Sequence, residues 1–314
     1  MLDEAAADGR AGLTPRKDSG PAVPAPVSAS PAPAPEVAPL SLLRKAEKVL
    51  AAFDGTAPWL SLTEVIRRSG LPRSSAHRIL DQLVQLRWLE REGRDYRMGM
   101  RILEHGGLAA HHNRLLRAAL PKLDALHEAT GKLVQLYVLD DIEVVCLERI
   151  GSLDAHVVPT RVGARLPAHC TAAGKAVLGF GDPAGVERVV EAGLHPRTHR
   201  TVTHPSLFRT ELMSVRDRGI AYDLEGTYPG LMCAAVPLRG AGRAIAAVSV
   251  SSMGGHRTLE RLAPLLQSCA RSIWTELYGP GRAARFAPPV EAPPAAVPVP
   301  MDTIMDLARP DSWM

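Results

Sequence analysis

Apolar residues first fall into a clear rhythm in SLLRKAEKVLAAFD, residues 41–54, where Leu42, Leu43, Ala46, Val49, Leu50 and Phe53 recur at the spacing of one helical face. Ser41 ahead of them has the side chain of an N-cap. Leu62, Val65 and Ile66 mark a second helix over 62–69. Gly70 then suits a left-handed C-cap, and Pro72 sits where a new helix can begin. The third helix, about 73–87, turns Ala76, Ile79, Leu80, Leu83 and Leu86 inward. After it the period changes. WLEREGRDYRMG sets Trp88 and Leu89 against charges, turns at Glu92–Gly93 and returns through Tyr96 and Met98, which predicts a two-stranded ribbon.

Beyond Gly106–Gly107 the pattern is helical again to about 120, and Pro121 suits the first turn of a further helix ending near Gly131. KLVQLYVLDDIEVVCLERI reads as two apolar strands around Asp140–Asp141. HVVPTRVGARLPAHC is a strand and loop, and TAAGKAVLGF opens a helix. Helices follow at about 183–192 and 206–218. LMCAAVPLR and RAIAAVSVSS are strands joined by a turn at Gly240–Gly242, and a last helix covers about 257–278. Strands in hairpins with helices between them predict an α+β unit with a largely antiparallel sheet.

Both ends break this pattern. Fifteen of the 27 prolines lie in residues 18–40 and 280–314, so residues 1–40 and 280–314 are expected to be disordered tails. The 314 residues suit about two domains, and a hydrophobic content of 46% with only 4% aromatics builds cores from Leu, Val, Ile and Ala. Net charge is +4, yet residues 41–105 hold 12 Lys and Arg against 8 Asp and Glu, so the basic excess belongs partly to the three-helix segment. The four cysteines, at 146, 170, 233 and 269, make no CxxC pair, which argues against a zinc ribbon and suits a reducing cytoplasm. No apolar run is long enough for a membrane span, and the acidic start MLDEAAADGR is not a secretory signal.

A tight turn between two short helices, a helix before and a ribbon after make a winged helix-turn-helix. Its second helix can enter a major groove about 12 Å wide and offer N-terminal side chains to base edges. Arg73 and Arg78 can donate to guanine edges or phosphates, Ser74 and Ser75 let the backbone approach, and His77 can contact phosphate or base. On the ribbon, Arg91 and Arg94 can reach phosphates or the minor groove, and Thr63 opens a helix whose N–H groups favour a phosphate. The plainer alternative is a three-helix bundle with a solvated charged face.

Residues 41–278 resemble the IclR family of bacterial transcription regulators. The resemblance is carried by SLTEVIRRSGLPRSSAHRILDQLVQLRWLE…YRMG, then by GARLPAHCTAAGKAVLGF, RDRGIAYDLEGTYPGLMCAAVPL and IAAVSVSS, in that order and spacing. It implies a winged helix-turn-helix domain at 41–105, a linker helix at 106–120 and a GAF/profilin-like, antiparallel-sheet effector-binding domain at 121–279. It also implies homodimers or dimers of dimers on palindromic double-stranded DNA, repression more than activation, and a small organic-acid or aromatic effector, with no cofactor. By the same resemblance the effector meets the backbone of Ala172 and Ala173 with Thr171 nearby, and the side chains of Asp223, Cys233, Ser249 and Ser251. Ser249 and Ser251 share one face of their strand, as residues two apart must.

Each of these residues also has a structural use. Ser249 and Ser251 can satisfy backbone groups, Cys233 can be a small core residue, and Asp223 can cap a turn. Lys175 is expected to face solvent, and its AAGK setting lacks the P-loop pattern. The pair His169–Cys170 has no identifiable orienting acid, and the histidines of HPRTHRTVTH bring no carboxylate or thiolate, so neither catalysis nor metal binding is expected. Two other readings remain: a constitutive DNA-binding regulator with a vestigial pocket, and an enzyme with an accessory DNA-binding head.

Overall fold

The computed structural model describes residues 40–55, 57–153, 160–240, 242–253 and 255–279. Apart from Leu40 the expected tails lie outside them, as do residues 156–159 of the expected strand and loop. The first unit holds α1 (Leu42–Ala51), β1 (Leu60–Ser61), α2 (Leu62–Ser69), α3 (Arg73–Gln85), β2 (Leu89–Glu92) and β3 (Asp95–Met98). Ser41 accepts from the Arg44 N–H at the start of α1. Gly70 ends α2 at φ +66°, a conformation that costs a side-chain-bearing residue about 1 kcal/mol or more. The turn it makes sets α3 across α2, and Val49, Val65, Ile79, Leu80, Leu89 and Tyr96 close the core beneath them.

Three details differ from the sequence reading. The ribbon is a three-stranded antiparallel sheet in the order β1-β3-β2, because Leu60 and Ser61 pair with Tyr96 and Asp95. Its loop is Gly93–Arg94, one residue later than expected, since Glu92 pairs with Asp95. Leu86 is 59% exposed: α3 stops at Gln85, and Arg87 at φ 60° turns the chain off the helical face.

The connection between the units also differs. α4 (Met100–His112) begins before the two glycines, and α5 (Arg114–Thr130) carries Pro121 inside it. The break falls at Asn113, whose side chain caps α5 by accepting from the Leu116 N–H at 3.0 Å. That cap settles the helix start where Pro121 alone suggested a later one.

The second unit is a six-stranded sheet in the order β6-β5-β4-β9-β8-β7, with every pairing antiparallel. Its strands are β4 (Leu133–Asp140), β5 (Glu143–Ile150), β6 (Arg165–Pro167), β7 (Ala221–Leu224), β8 (Met232–Leu238) and β9 (Ala246–Ser252). β7 was not foreseen. α5 and α9 (His256–Tyr278) cover one face, burying Leu123, Leu136, Val248, Val250, Leu266 and Ile273. α6 (Ala172–Gly179), α7 (Pro183–Glu191) and α8 (Pro205–Arg218) lie on the other with Tyr137, Val177, Phe208, Leu212 and Ala247. Every residue of β9 is buried, so the period of two sends Val248 and Val250 toward α5 and α9 and leaves Ser249 and Ser251 on the α6 side.

Candidate functional site

On α3 the residues opposite the core form an exposed stripe of Arg73, Ser74, His77 and Arg78, with half-buried Asp81 beside it, around a shallow concavity. Ser75 is half-buried beside it. His77 Nδ1 lies 2.9 Å from Asp81 Oδ2. Arg73 and Arg78 make no hydrogen bond or ion pair with any described residue. On the wing, Arg91 Nε donates to the Gly93 carbonyl at 3.0 Å and its guanidinium stacks over Tyr96. Arg97 pairs with Glu90 at 2.6 Å and lies over Trp59. Arg94, at the tip of the turn, is exposed and meets no described partner. Thr63 is exposed in the first turn of α2. The eight residues named for DNA contact thus lie on α2, α3 and the wing of this small unit, seven of them exposed.

The second site lies between α6 and the sheet. Thr171 caps α6, its Oγ1 accepting from the Gly174 N–H at 3.0 Å, while the Ala172 and Ala173 N–H groups belong to the first turn and have no intrahelical acceptor. Thr171, Ala172, Ala173, Asp223, Cys233, Ser249 and Ser251 all line one cavity. Its free volume is about 20 Å³, room for roughly one water. The chain from Glu225 to Leu231 closes on itself through Glu225 N–H to the Leu231 carbonyl (3.0 Å) and Gly230 N–H to Glu225 Oε2 (3.0 Å). This loop contributes Thr227, Tyr228 and Leu231 to the cavity wall.

The cavity floor is a hydrogen-bonded relay. Gln135 Nε2 donates to Tyr137 Oη at 2.8 Å and to Thr160 Oγ1 at 3.0 Å; its Oε1 accepts from Ser251 Oγ at 3.2 Å. Cys233 Sγ is 3.1 Å from Ser251 Oγ. Burial pushes the Cys233 thiol up to about 12, so it stays a neutral SH. Asp223 is 1% exposed, and its Oδ1 accepts from the Gly226 N–H at 2.6 Å. Burial raises its carboxyl above the usual carboxylate range, opposed by the charge of Lys175 and by the Gly226 N–H. Lys175 does not face solvent as expected. It is 5% exposed, with Nζ 2.6 Å from Glu211 Oε1 on α8, because all of α6 is buried and this partner neutralises the ammonium.

The sequence reading missed Gln135, Tyr137, Thr160, Thr227 and Tyr228. A lone glutamine in the apolar run LVQLYV was the one signal for this wall, since a buried amide needs partners. The His169–Cys170 pair is not arranged as base and nucleophile. His169 Nε2 meets the His195 carbonyl at 3.0 Å, and burial pushes the Cys170 thiol up to about 11, away from a reactive thiolate. His204 caps α8, with Nδ1 accepting from the Ser206 N–H at 3.3 Å. Among the described residues no group of three or more His, Cys, Asp or Glu could hold a metal ion, and no helix is long and apolar enough to cross a membrane.

A winged DNA-binding head followed by a sheet domain with a polar-lined pocket defines a ligand-sensing DNA-binding protein. Comparison with known proteins agrees. Residues 42–93 match the IclR helix-turn-helix domain, and residues 107–275 match the bacterial transcriptional regulator IclR C-terminal domain. The chain is 31% identical over 253 residues to the glycerol operon regulatory protein of Streptomyces griseus, covering 76% of this chain and 97% of that one. It is 29% identical over 215 residues to the HTH-type transcriptional regulator XynR of Escherichia coli, covering 67% and 85%. Among solved structures, an IclR homolog from Microbacterium hydrocarbonoxydans complexed with 4-hydroxybenzoate superposes with a TM-score of 0.67 at 30% identity, covering 76% of this chain and 99% of that one. The chain belongs to the IclR family of bacterial transcriptional regulators: it is a DNA-binding regulator with a C-terminal effector-binding domain.

Proposed function

We propose that this regulator reads a palindromic operator with α3 and the wing of two copies, and that a small aromatic or aliphatic carboxylate in the α6 cavity changes its grip on DNA. The observation that carries the ligand half is the convergence of the α6 N-terminus with Asp223, Ser249 and Ser251 in one cavity. Free N–H groups and the positive end of the helix dipole favour a carboxylate there. The hydroxyls and Gln135 offer donors and acceptors to a ring substituent. In the neighbouring solved structure the ligand is 4-hydroxybenzoate, which has a carboxylate at one end and a hydroxyl at the other.

About 20 Å³ is too little for such a molecule, so a ligand must displace the roof loop that carries Tyr228 and Leu231. Binding is therefore tied to a change of conformation, and affinity for DNA shifts as far as the ligand distinguishes the two arrangements. In a melting series of benzoates and short-chain acids, one member is expected to stabilise the full chain. At one hundred times its Kd the gain is about 2.7 kcal/mol, or roughly 5–10 °C. The Ser249→Ala protein should bind about fivefold more weakly for loss of one hydrogen bond. No shift with any member, in a protein that still binds DNA, points instead to a constitutive regulator with a vestigial pocket.

Dimerisation is supported by large apolar residues that the described residues leave exposed. Leu42, Leu43, Leu103 and Leu108 are 52%, 81%, 68% and 58% exposed. None of the thirteen residues of α4 is buried, and an isolated helix that short is marginal in water. A second copy packed on α1 and α4 would cover this face and set two heads one DNA turn or a multiple apart. Leu103→Glu breaks no intramolecular packing, so it is expected to leave the melting temperature of the head unchanged and to shift the protein toward monomer in light scattering. An unchanged mass would exclude this face. Repression is the expected sign of control and the cytoplasm the expected location. The relatives are regulators, and the raised Cys170 thiol does not suit a catalytic nucleophile, so the second unit is read as a sensor, not an enzyme.

A further inference from the structure

HPRTHRTVTH, residues 195–204, belongs to neither the DNA-reading face nor the wall of the effector pocket, yet it grips the roof loop from outside. It is a strap between α7 and α8. Leu194 at its start is buried in the core under those helices, and Val202 near its end is partly buried there. His169 Nε2 meets the His195 carbonyl at 3.0 Å, which ties the strap to the turn that opens α6. The strap is therefore fixed to the body of the domain.

Two hydroxyls reach from it to the roof. Thr198 Oγ1 donates to the Glu225 carbonyl and Thr201 Oγ1 to the Gly226 carbonyl, each at 2.7 Å. A hydroxyl has one hydrogen and two lone pairs. Here the lone pairs serve the strap itself: Thr198 Oγ1 accepts from the Arg200 N–H, and Thr201 Oγ1 from those of Arg197 and Thr198, all at 2.9 Å. Each hydrogen is thereby aimed at the roof. Arg197 adds its guanidinium over the Tyr228 ring, 5.8 Å from the centroid.

The roof cannot rise without parting from these hydroxyls. Glu225 N–H to the Leu231 carbonyl and Gly230 N–H to Glu225 Oε2 tie its ends together, so residues 225–231 move as one piece. Gly226 is also held from inside the pocket, its N–H on Asp223 Oδ1 at 2.6 Å. It is thus pinned between a pocket acid and the strap. With both threonines in place the cavity keeps only about 20 Å³ free, so this arrangement and an occupied pocket exclude each other.

We propose that Thr198 and Thr201 form a clasp that holds the roof of the effector pocket shut, and that its strength sets the effector concentration to which the regulator answers. They are positioning residues, which touch the roof and not the ligand. The affinity of a pocket that is open only part of the time is reduced by that fraction. Weakening the clasp therefore tightens binding, the opposite of what loss of a contact residue does. The inference rests on the reading of this cavity as the effector pocket.

Modification of the full chain by N-ethylmaleimide, followed by mass spectrometry of its peptides, tests the clasp without an effector. Cys233 lines the cavity under the roof, and the reagent is far too large for the free volume of about 20 Å³. Cys269, in the core on the opposite face of the sheet, reports general loosening. In the parent, Cys233 is expected to react far more slowly than a thiol in an unfolded chain. Thr198→Val and Thr201→Val should each speed it about fivefold, and the double variant about 25-fold, as loss of one and of two hydrogen bonds implies. Thr201→Ser, which keeps the hydroxyl, should react like the parent, and the Cys269 rate should not change. An unchanged Cys233 rate in the double variant would overturn the clasp. So would a parent Cys233 as reactive as an unfolded thiol, or Cys233 and Cys269 rates that rise together. In calorimetry, 4-hydroxybenzoate should bind the double variant more tightly than the parent, and weaker binding would overturn the clasp by making the threonines ordinary contacts. Binding to neither protein, with the Cys233 rates as expected, would fail the effector reading and leave the clasp standing.

Discussion

Arg78→Ala is expected to weaken operator binding by about 1–3 kcal/mol, roughly 5- to 150-fold at fixed salt, while leaving the fold intact. The side chain stands on the exposed stripe of α3 and touches no described partner, so its removal opens no cavity and unpairs no buried group. The inward residues that hold α3 in place, Ala76, Ile79 and Leu80, stay as they are. Equilibrium titration of labelled duplex, repeated over a range of salt, separates two roles. A guanine contact loses affinity for the operator and discrimination at one base pair. A phosphate contact loses affinity for every sequence alike and lowers the salt slope by about one. Unchanged affinity would remove Arg78 from the interface.

Gly174→Ala is expected to cost the effector-binding domain about 3 kcal/mol, lowering its melting temperature by roughly 6–12 °C. A Cβ at this position would fall 2.5 Å from Ala168 Cα and 2.6 Å from its carbonyl carbon, with the carbonyl oxygen nearer still. These are backbone atoms, so no rotamer relieves the overlap. The displacement falls at the N-terminus of α6, where the Gly174 N–H holds Thr171 Oγ1 and where the cavity is lined by Ala172 and Ala173. Ligand-induced stabilisation should therefore vanish along with the stability. DNA binding by the separate head should survive below the lowered transition. A melting temperature within about 2 °C of the parent would show that the segment from Ala168 to Thr171 yields more easily than its packing suggests.

The head was legible in the sequence because each of its signals is local. Gly70 and Pro72 punctuate the turn, and the helical period of Val65, Ala76, Ile79 and Leu80 names the core directly. Leu86 was misplaced because periodicity runs on past the point where the backbone leaves the helix. β1 and β7 escaped because two and four residues show no alternation; what makes them strands is the partner they pair with, Tyr96 in one case and Ala235 in the other. The break at Asn113 was hidden by the louder signals of Gly106, Gly107 and Pro121.

The pocket was half legible. Short blocks around Thr171, Asp223, Cys233 and Ser249 carry the resemblance, and the fold brings them into one cavity. Gln135 reaches Ser251 only because β4 lies beside β9, and Thr160, 25 residues on, meets it at 3.0 Å. Lys175 was read as a surface lysine because nothing in AAGK reveals that Glu211, 36 residues on, supplies its counter-charge. The exposed leucines of α1 and α4 fit the helical pattern well; the pattern does not say that they stay exposed among the described residues.

The central claim is that the exposed face of α3 and its wing grip a particular duplex, and that the sheet domain adjusts that grip. Selection of genomic fragments by the purified full chain, read by sequencing with and without 4-hydroxybenzoate or the carboxylate that the melting series identifies, tests both parts together. The account predicts enrichment of a palindrome whose half-sites lie one helical turn or a multiple apart, with an enrichment that the ligand changes. Fragments recovered in proportion to their abundance, at moderate salt and with the protein folded, would contradict it.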